Sequence, residues 1–305
     1  MNRLIAVTLG DPEGIGPEII YKTFSRFHPR SSVIIVGNIN HYRDKNIQVI
    51  SGIDEIKKRG VFFLHIDKPA SETDESFGYV RKVVDLARIK AVQALVTGPI
   101  SKKNWLEKGI QYKGHTDLLA HLTGVKRVGM FFWTENMKLA LYTIHMPLKE
   151  IFNQIREEKI VSFMRFVNSE LTRLFSKKFT FFISGLNPHA GEEGHLGDEE
   201  IKEINPAVER LAAEMDIRGI LPPDTVFLKA REVRDSVVVC WYHDQGLIPF
   251  KLLHMRSGVN LTLGLPFIRT SPDHGTAFDI AGKNIADPTS MIAAVKLADD
   301  LIKRK

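Results

Sequence analysis

Three histidines share a placement that suits metal chemistry. His145 closes the apolar run Leu139-Ala140-Leu141-Tyr142-Thr143-Ile144. His189 follows Phe181-Phe182-Ile183-Ser184-Gly185-Leu186-Asn187-Pro188, and His243 follows an apolar run at 237–242, with Asp244 beside it. If each run is a strand of one open α/β sheet, the imidazoles emerge at the strand ends, where such sheets bind ligands. Three neutral imidazoles leave a divalent ion an open coordination position, as catalytic zinc-type sites require. A lone histidine is more often a surface or core residue, so the repetition carries the reading. The spacing is less specific than a compact His-Glu-x-x-His helix. His195, in the turn-rich loop after Pro188, is a competing ligand, although His189 lies nearer its strand.

A second group of residues suits an anion. Lys251, Asn260 and Arg269 follow one another around the apolar run at 259–263. Arginine grips phosphate or carboxylate with two parallel donors, and lysine adds a flexible point charge. In Gly114-His115-Thr116-Asp117, Thr116 is an expected helix N-cap, and helix N-termini attract anions. Taken singly, each of these is better read as a solvated charge or a plain cap.

The opening Thr8-Leu9-Gly10-Asp11-Pro12-Glu13-Gly14-Ile15-Gly16-Pro17-Glu18 runs from a strand into a helix. It lacks the third glycine of a dinucleotide fingerprint and the Lys-Ser/Thr of a P-loop. It reads either as a tight bend or as a ligand loop, with Asp11 at a strand's C-terminal end favouring the latter.

The elements that must position these groups follow from the apolar pattern. Strands are expected at 4–9, 33–36, 94–97, 128–133, 139–144, 180–184, 237–241 and 259–263. Several are Val-, Ile- and Phe-rich with little alternation, as in strands buried on both faces. Helices are expected near 16–26, 78–90, 101–108, 115–122, 155–176, 199–214, 275–282 and 288–303. The alternation argues for an α/β protein on largely parallel sheets, with 128–133 and 139–144 as an antiparallel hairpin. A domain change is expected near 120–130 and a return near 255, giving 1–125 plus 256–305 and an inserted 126–255.

With 305 residues, 44% hydrophobic and 26% charged, the composition is that of a globular chain rather than a disordered or collagenous one. The 42 Lys+Arg against 36 Asp+Glu are largely dispersed, with a run at Lys303-Arg304-Lys305, which argues against nucleic-acid binding. The single Cys240 cannot form an internal disulfide and reads as a buried small hydrophobe. Neither a membrane span nor a signal peptide is visible, so a cytoplasmic location is expected.

Taken together, these segments resemble the 4-hydroxythreonine-4-phosphate dehydrogenase family of vitamin B6 biosynthesis. The motifs are Gly10-Asp11-Pro12-x-Gly14-Ile15-Gly16-Pro17-Glu18, Gly114-His115-Thr116, Thr143-x-His145-x-Pro147, Gly185-Leu186-Asn187-Pro188-His189-Ala190-Gly191-Glu192, Tyr242-His243-Asp244-Gln245-Gly246 and Leu263-Gly264-Leu265-Pro266-Phe267-Ile268-Arg269-Thr270-Ser271. They occur in family order over nearly the whole chain. The stretch at 274–283 is also similar to the cofactor loop of isopropylmalate and isocitrate dehydrogenases. Glu13, Glu193 and Asn284 depart from the pattern, the last two standing where glycine is usual.

The resemblance implies two α/β/α domains with a cleft between them, of the isocitrate/isopropylmalate dehydrogenase type, assembled as a homodimer. It implies a metal on His145, His189 and His243, one of them from the partner chain. Zinc is the first choice of ion, with cobalt and magnesium as alternatives. Substrate contacts carried over are His115, Thr116, Lys251, Asn260 and Arg269. The cofactor, NAD in preference to NADP, falls to Leu263, Gly264, Pro266, His274, Gly275, Thr276 and Asp279. The catalytic base is open among Lys251, Asp244 and Asp224. The implied reaction oxidises 4-phosphooxy-L-threonine at C3 and decarboxylates the product to 3-amino-2-oxopropyl phosphate. One rival is a paralogous dehydrogenase of 4-phospho-erythronate or 4-phospho-threonate in sugar-acid catabolism. A more distant one is a phosphate acyltransferase, which needs neither metal nor redox cofactor.

Overall fold

The computed structural model describes residues 3–44, 46–67 and 74–303. Met1, Asn2 and the Arg304-Lys305 end of the basic tail lie outside the described residues. The chain divides into two compact units, Met1–Val128 with Arg256–Lys305, and Gly129–Met255.

The first stretch of unit 1 runs β1 (Leu4–Thr8), α1 (Gly16–Arg26), β2 (Ser32–Gly37), β3 (Gln48–Ile50), β4 (Val61–His65), α2 (Glu75–Arg88), β5 (Ala94–Thr97), α3 (Lys102–Glu107) and α4 (His115–Thr123). Every residue of β1, β2 and β5 is buried, which is why these strands read as continuous apolar runs. Local signals set the helix starts. Pro17 occupies the first turn of α1, while Asp74 and Ser101 accept hydrogen bonds from Phe77 N and Asn104 N. The cap of α4 is Gly114 (φ 143°) rather than Thr116, which lies one residue inside the helix. An extended residue is needed before the first turn, and only glycine adopts that angle readily.

Unit 2 contains β6 (Gly129–Trp133), β7 (Lys138–Leu141), α5 (Leu148–Ile151), α6 (Glu157–Phe175), β8 (Thr180–Ser184), α7 (Asn205–Leu211), β9 (Asp216–Leu221), α8 (Val226–Arg231), β10 (Ser236–Cys240) and α9 (His243–His254). Its strand order is β6-β7-β10-β8-β9. The pair β6–β7 is antiparallel and the other pairs are parallel. Phe132, Leu139, Phe182, Val238, Leu247 and Phe250 share one buried cluster with Cys240, whose thiol burial pushes toward the neutral form.

The chain then returns to unit 1 through β11 (Val259–Leu263), β12 (Ile268–Pro272) and α10 (Thr289–Lys303). The unit 1 order is β3-β4-β2-β1-β5-β12-β11, parallel except that β11 runs against β12. α10 lies across β5, β11 and β12, and α2 across β1, β2 and β5.

The structure corrects two helices. Residues 275–282 form turns, not a helix: Ala277 (φ 43°) and Gly282 (φ 76°) are left-handed, and no right-handed helix passes through such residues. The span 199–214 breaks into a π-turn, Glu200–Ile204, followed by α7, with Pro206 lacking an N–H where the register changes. Among the described residues, no helix is long and apolar enough to cross a membrane.

Candidate functional site

In unit 2 the three histidines follow the C-terminal ends of adjacent parallel strands. Leu141 of β7 pairs with Cys240 of β10, and Val239 of β10 pairs with Ile183 of β8. Beyond β7 the backbone stays paired: Tyr142 N donates to Cys240 O (2.8 Å) and Thr143 N to Trp241 O (3.1 Å). That continuation carries His145 toward His243, and their ring centroids lie 5.6 Å apart. His243 Nδ1 meets Asp244 Oδ1 at 2.6 Å. A carboxylate on one ring nitrogen fixes an imidazole's orientation and leaves the other nitrogen for a ligand, as around metal-bound histidines.

His189 does not join the pair. It lies exposed in a loop where His189, Ala190, Gly191, Glu192 and Glu193 all have φ between 43° and 81°. Each non-glycine residue in that region costs roughly 1 kcal/mol. Buried Glu200 holds the base of this loop, its Oε1 accepting from Leu186 N (2.8 Å) and Asn187 N (2.9 Å). Gln245 joins the loop base to α9: its Oε1 accepts from Trp241 N and its Nε2 donates to Gly185 O, each at 2.7 Å. Among the described residues, no group of three or more His, Cys, Asp or Glu side chains stands ready for a metal ion. The described residues bring two of the three histidines together, His145 and His243. His195, the competing ligand, is exposed on the same loop, and Asp224 is exposed in the turn after β9. Lys251 is half-buried on α9.

In unit 1, Arg269 on β12 is 3% exposed, and its guanidinium is fastened at two corners. Nη1 donates to Thr262 Oγ1 at 2.9 Å and Nη2 to Thr97 Oγ1 at 2.7 Å. Burial pulls its pKa down to about 10, so it remains charged at neutral pH. Its Nε, together with His115 Nε2 and Asn260 Oδ1, is buried without a hydrogen-bond partner among the described residues. Buried polar atoms are normally paired, and leaving one unmet costs about 1–3 kcal/mol. Three of them on residues of these types make a candidate polar ligand site. Burial, then the cations Arg269 and Lys102, hold His115 well below the usual imidazole range, so its ring is neutral. Trp105 packs against that ring with centroids 6.0 Å apart.

Lys102, Thr97 and Thr262 were not legible as site residues in the sequence. Lys102 opens α3 and lies against Gly114: a β-carbon there would stand 3.1 Å from Lys102 Cε. The signal for it was only a lysine soon after the C-terminal end of β5.

The candidate cofactor residues are also in unit 1. Leu263 ends β11, Gly264 is left-handed (φ 88°), and Pro266 is exposed in the connection to β12. His274, Gly275, Thr276 and Asp279 lie on the turns after β12, where a β-carbon added to Gly275 would meet open space.

Residues 25–298 match the family model for the pyridoxal phosphate biosynthetic protein PdxA. The 4-hydroxythreonine-4-phosphate dehydrogenase of Aquifex aeolicus (strain VF5) is 41% identical over 322 residues, covering 100% of each chain. The D-threonate 4-phosphate dehydrogenase of Pectobacterium atrosepticum is 37% identical, over 99% of this chain and 100% of that protein. A solved structure of a 4-hydroxythreonine-4-phosphate dehydrogenase from Klebsiella pneumoniae matches with a TM-score of 0.85 at 36% identity, over 99% of this chain and 100% of that one. The α/β architecture, the order of the motifs and full-length similarity agree, and the chain belongs to the pyridoxal phosphate biosynthetic protein PdxA family.

Proposed function

We propose that this enzyme is an NAD-dependent, divalent-metal-dependent dehydrogenase of 4-phosphooxy-L-threonine. It oxidises the C3 hydroxyl and releases carbon dioxide to leave 3-amino-2-oxopropyl phosphate, a cytoplasmic step toward pyridoxal 5'-phosphate. The observation that carries the reading is the His145–His243 pair, 5.6 Å apart at adjacent strand ends, with Asp244 fixing one ring.

These two imidazoles would hold the ion with His189 of a second copy, and nitrogen donors of this kind suit zinc. Bound there, the ion would lower the pKa of the substrate hydroxyl and stabilise negative charge on its oxygen. A homodimer follows from the same reading. α9, which begins at His243, exposes Ile248, Leu252 and Leu253, and Met255 just past its end is exposed too, with Leu252 83% exposed. Apolar residues concentrated on one helix mark an interaction surface, and it adjoins the imidazole that needs a partner.

The chain's own groups would do the rest. Arg269 offers its charged Nε edge to the substrate phosphate, while neutral His115 and Asn260 add hydrogen bonds that fix its orientation. Thr116, one residue into α4, and Lys251 complete the substrate contacts. Asp244 is engaged by His243, which suits it to orienting that ring, so Lys251 and Asp224 stand as the candidate bases. Leu263 to Asp279 would hold NAD, which accepts the hydride.

A second reading rests on the 37% identity to a D-threonate 4-phosphate dehydrogenase. It keeps the metal, cofactor and phosphate groups but changes the amine at C2 to a hydroxyl. The test is NADH formation with 4-phosphooxy-L-threonine, D-threonate 4-phosphate and 4-phospho-erythronate, each with and without chelator. Chelator-sensitive turnover of the amino acid alone supports the first reading. Turnover of a sugar acid alone supports the second, and reduction of NAD with none of the three removes both.

A further inference from the structure

The glycine-rich opening reads in sequence as a bend or a ligand loop, and its contacts within unit 1 give it another task. Ile15 N donates to Thr276 O at 2.9 Å, and a β-carbon on Gly14 would stand 2.9 Å from that same oxygen. One turn further along α1, Glu18 is 4% exposed and accepts from Ala286 N (2.8 Å) and Asn284 N (3.2 Å). Lys22, the next residue on that face, donates to Glu18 Oε1 (2.8 Å) and to the carbonyls of Asn284 and Ala286 (2.9 Å each). One carboxylate thus takes the N–H groups of 284 and 286, and one ammonium takes their C=O groups. Burial alone would raise the Glu18 carboxyl, but Lys22 and these N–H donors outweigh it and hold it below its usual range.

Between its two attachments to α1, the segment has little to hold it. The turns from Ala277 to Lys283 are closed by short-range bonds, Ile280 N to Ala277 O, Ala281 N to Phe278 O and Lys283 N to Ile280 O. Phe278 and Ile285 point into solvent, and a β-carbon on Gly282 would meet nothing. Ala277, Gly282 and Asn284 are all left-handed, so the shape is not one the backbone adopts unaided. Apart from an exposed 3.1 Å bond from Arg43 Nη1 to Asn284 Oδ1, the attachments seen for this loop run to α1 and its start.

We propose that Glu18 and Lys22 are positioning residues for the dinucleotide, holding the 274–286 loop in its binding shape without touching the ligand. The proposal rests on the reading that this loop carries NAD. A loop that spends a tenth of its time in the binding shape weakens apparent affinity roughly tenfold.

The experiment combines hydrogen exchange of the 274–286 peptide with calorimetric NAD titration for the natural protein, Lys22→Met, Lys22→Arg and Glu18→Gln. Lys22→Met keeps the carboxylate and its N–H partners, so it guards against a Glu18 variant that fails to fold. NAD should protect 274–286 in the natural protein. Lys22→Met should speed exchange there, raise the NAD Kd and KM about tenfold, and leave kcat at saturating NAD and the substrate KM unchanged, with Lys22→Arg recovering much of the loss. A merely structural role would lower the melting temperature without that split and would overturn the proposal, as would unchanged exchange or unchanged Kd in Lys22→Met. If NAD leaves 274–286 of the natural protein unprotected, the cofactor reading itself fails and the proposal falls with it, even where the variants still loosen the loop.

Discussion

Arg269 and Thr97 meet through a 2.7 Å hydrogen bond between neighbouring strands, Nη2 to Oγ1, in the buried interior of unit 1. Thr262 holds the opposite corner of the same guanidinium at 2.9 Å, so the side chain is fixed before any ligand arrives. A planar, pre-oriented donor loses less entropy on gripping a phosphate than a free one. Arg269→Lys should therefore raise the KM for the phosphorylated substrate by at least roughly tenfold, while Thr97→Val, which removes one hydrogen bond of about 1 kcal/mol, should raise it about fivefold. Steady-state kinetics at saturating cofactor measure both, and a Lys variant equal to the natural enzyme would exclude Arg269 from the phosphate site.

His115 predicts a pH dependence. Its folded pKa lies below the unfolded value of about 6.5, through burial first and then Arg269 and Lys102. Below that pH the unfolded chain takes up a proton that the folded chain refuses, so stability falls as pH drops from about 6.5 toward the folded pKa. His115→Gln should flatten this part of the melting-temperature profile. Lys102→Met removes one of the two cations and should move the His115 titration upward, visible by NMR of the ring nitrogens.

The left-handed loop of unit 2 predicts a stabilising substitution. Glu193 has φ 56°, a region that glycine adopts without a side-chain penalty. Glu193→Gly should add about 1 kcal/mol by relieving the side-chain clash, read by chemical denaturation. Asn284, at φ 61°, is a residue type that tolerates this region, so Asn284→Gly should change stability less.

Glu200 predicts the reverse. Glu200→Ala leaves Leu186 N and Asn187 N without their acceptor at the root of that loop. Loss should be about 2–4 kcal/mol for two charge-assisted bonds, and a melting temperature unchanged within error would show that the loop base is held by other contacts.

Metal content tests the histidine pair directly. His145→Ala and His243→Ala should each abolish stoichiometric zinc after dialysis, measured by elemental analysis. Asp244→Asn should weaken zinc roughly 10- to 100-fold while keeping the protein folded. If His189→Ala also loses metal, mixing His189→Ala with His243→Ala chains should restore some sites, because each hybrid dimer rebuilds one complete set.

Much of this arrangement was legible because the apolar runs that make central parallel strands are continuous. β5 and β8 span the residues their runs predict, as does β11, although it runs antiparallel to β12. Four strands escaped notice: β4 (Val61–His65) carries the same apolar run and was passed over, while the other three carry other signals. β9 holds Arg218 and Gly219, β3 is three residues long and largely exposed, and β12 contains Arg269, Thr270 and Ser271, which read as chemistry rather than structure. α9 was hidden for a similar reason, since Pro249 interrupts it and its exposed apolar residues blur the amphipathic period. In the candidate site, the strand-end positions of the histidines followed from pattern. The partners that fix Arg269 did not, because hydroxyls on β5 and β11 meet it only once those strands lie near β12.

The discontinuity of unit 1 sets an order of events during synthesis. β5 ends at Thr97, and the strand that pairs beside it, β12, begins at Ile268. Until the ribosome has made that later strand, β5 has an open edge of unpaired N–H and C=O groups, the kind of edge that recruits other chains. Unit 2 is contiguous and can close on itself meanwhile. The nascent chain thus carries a finished module and a half-built sheet at once, and a chaperone's interest in this protein would centre on β5.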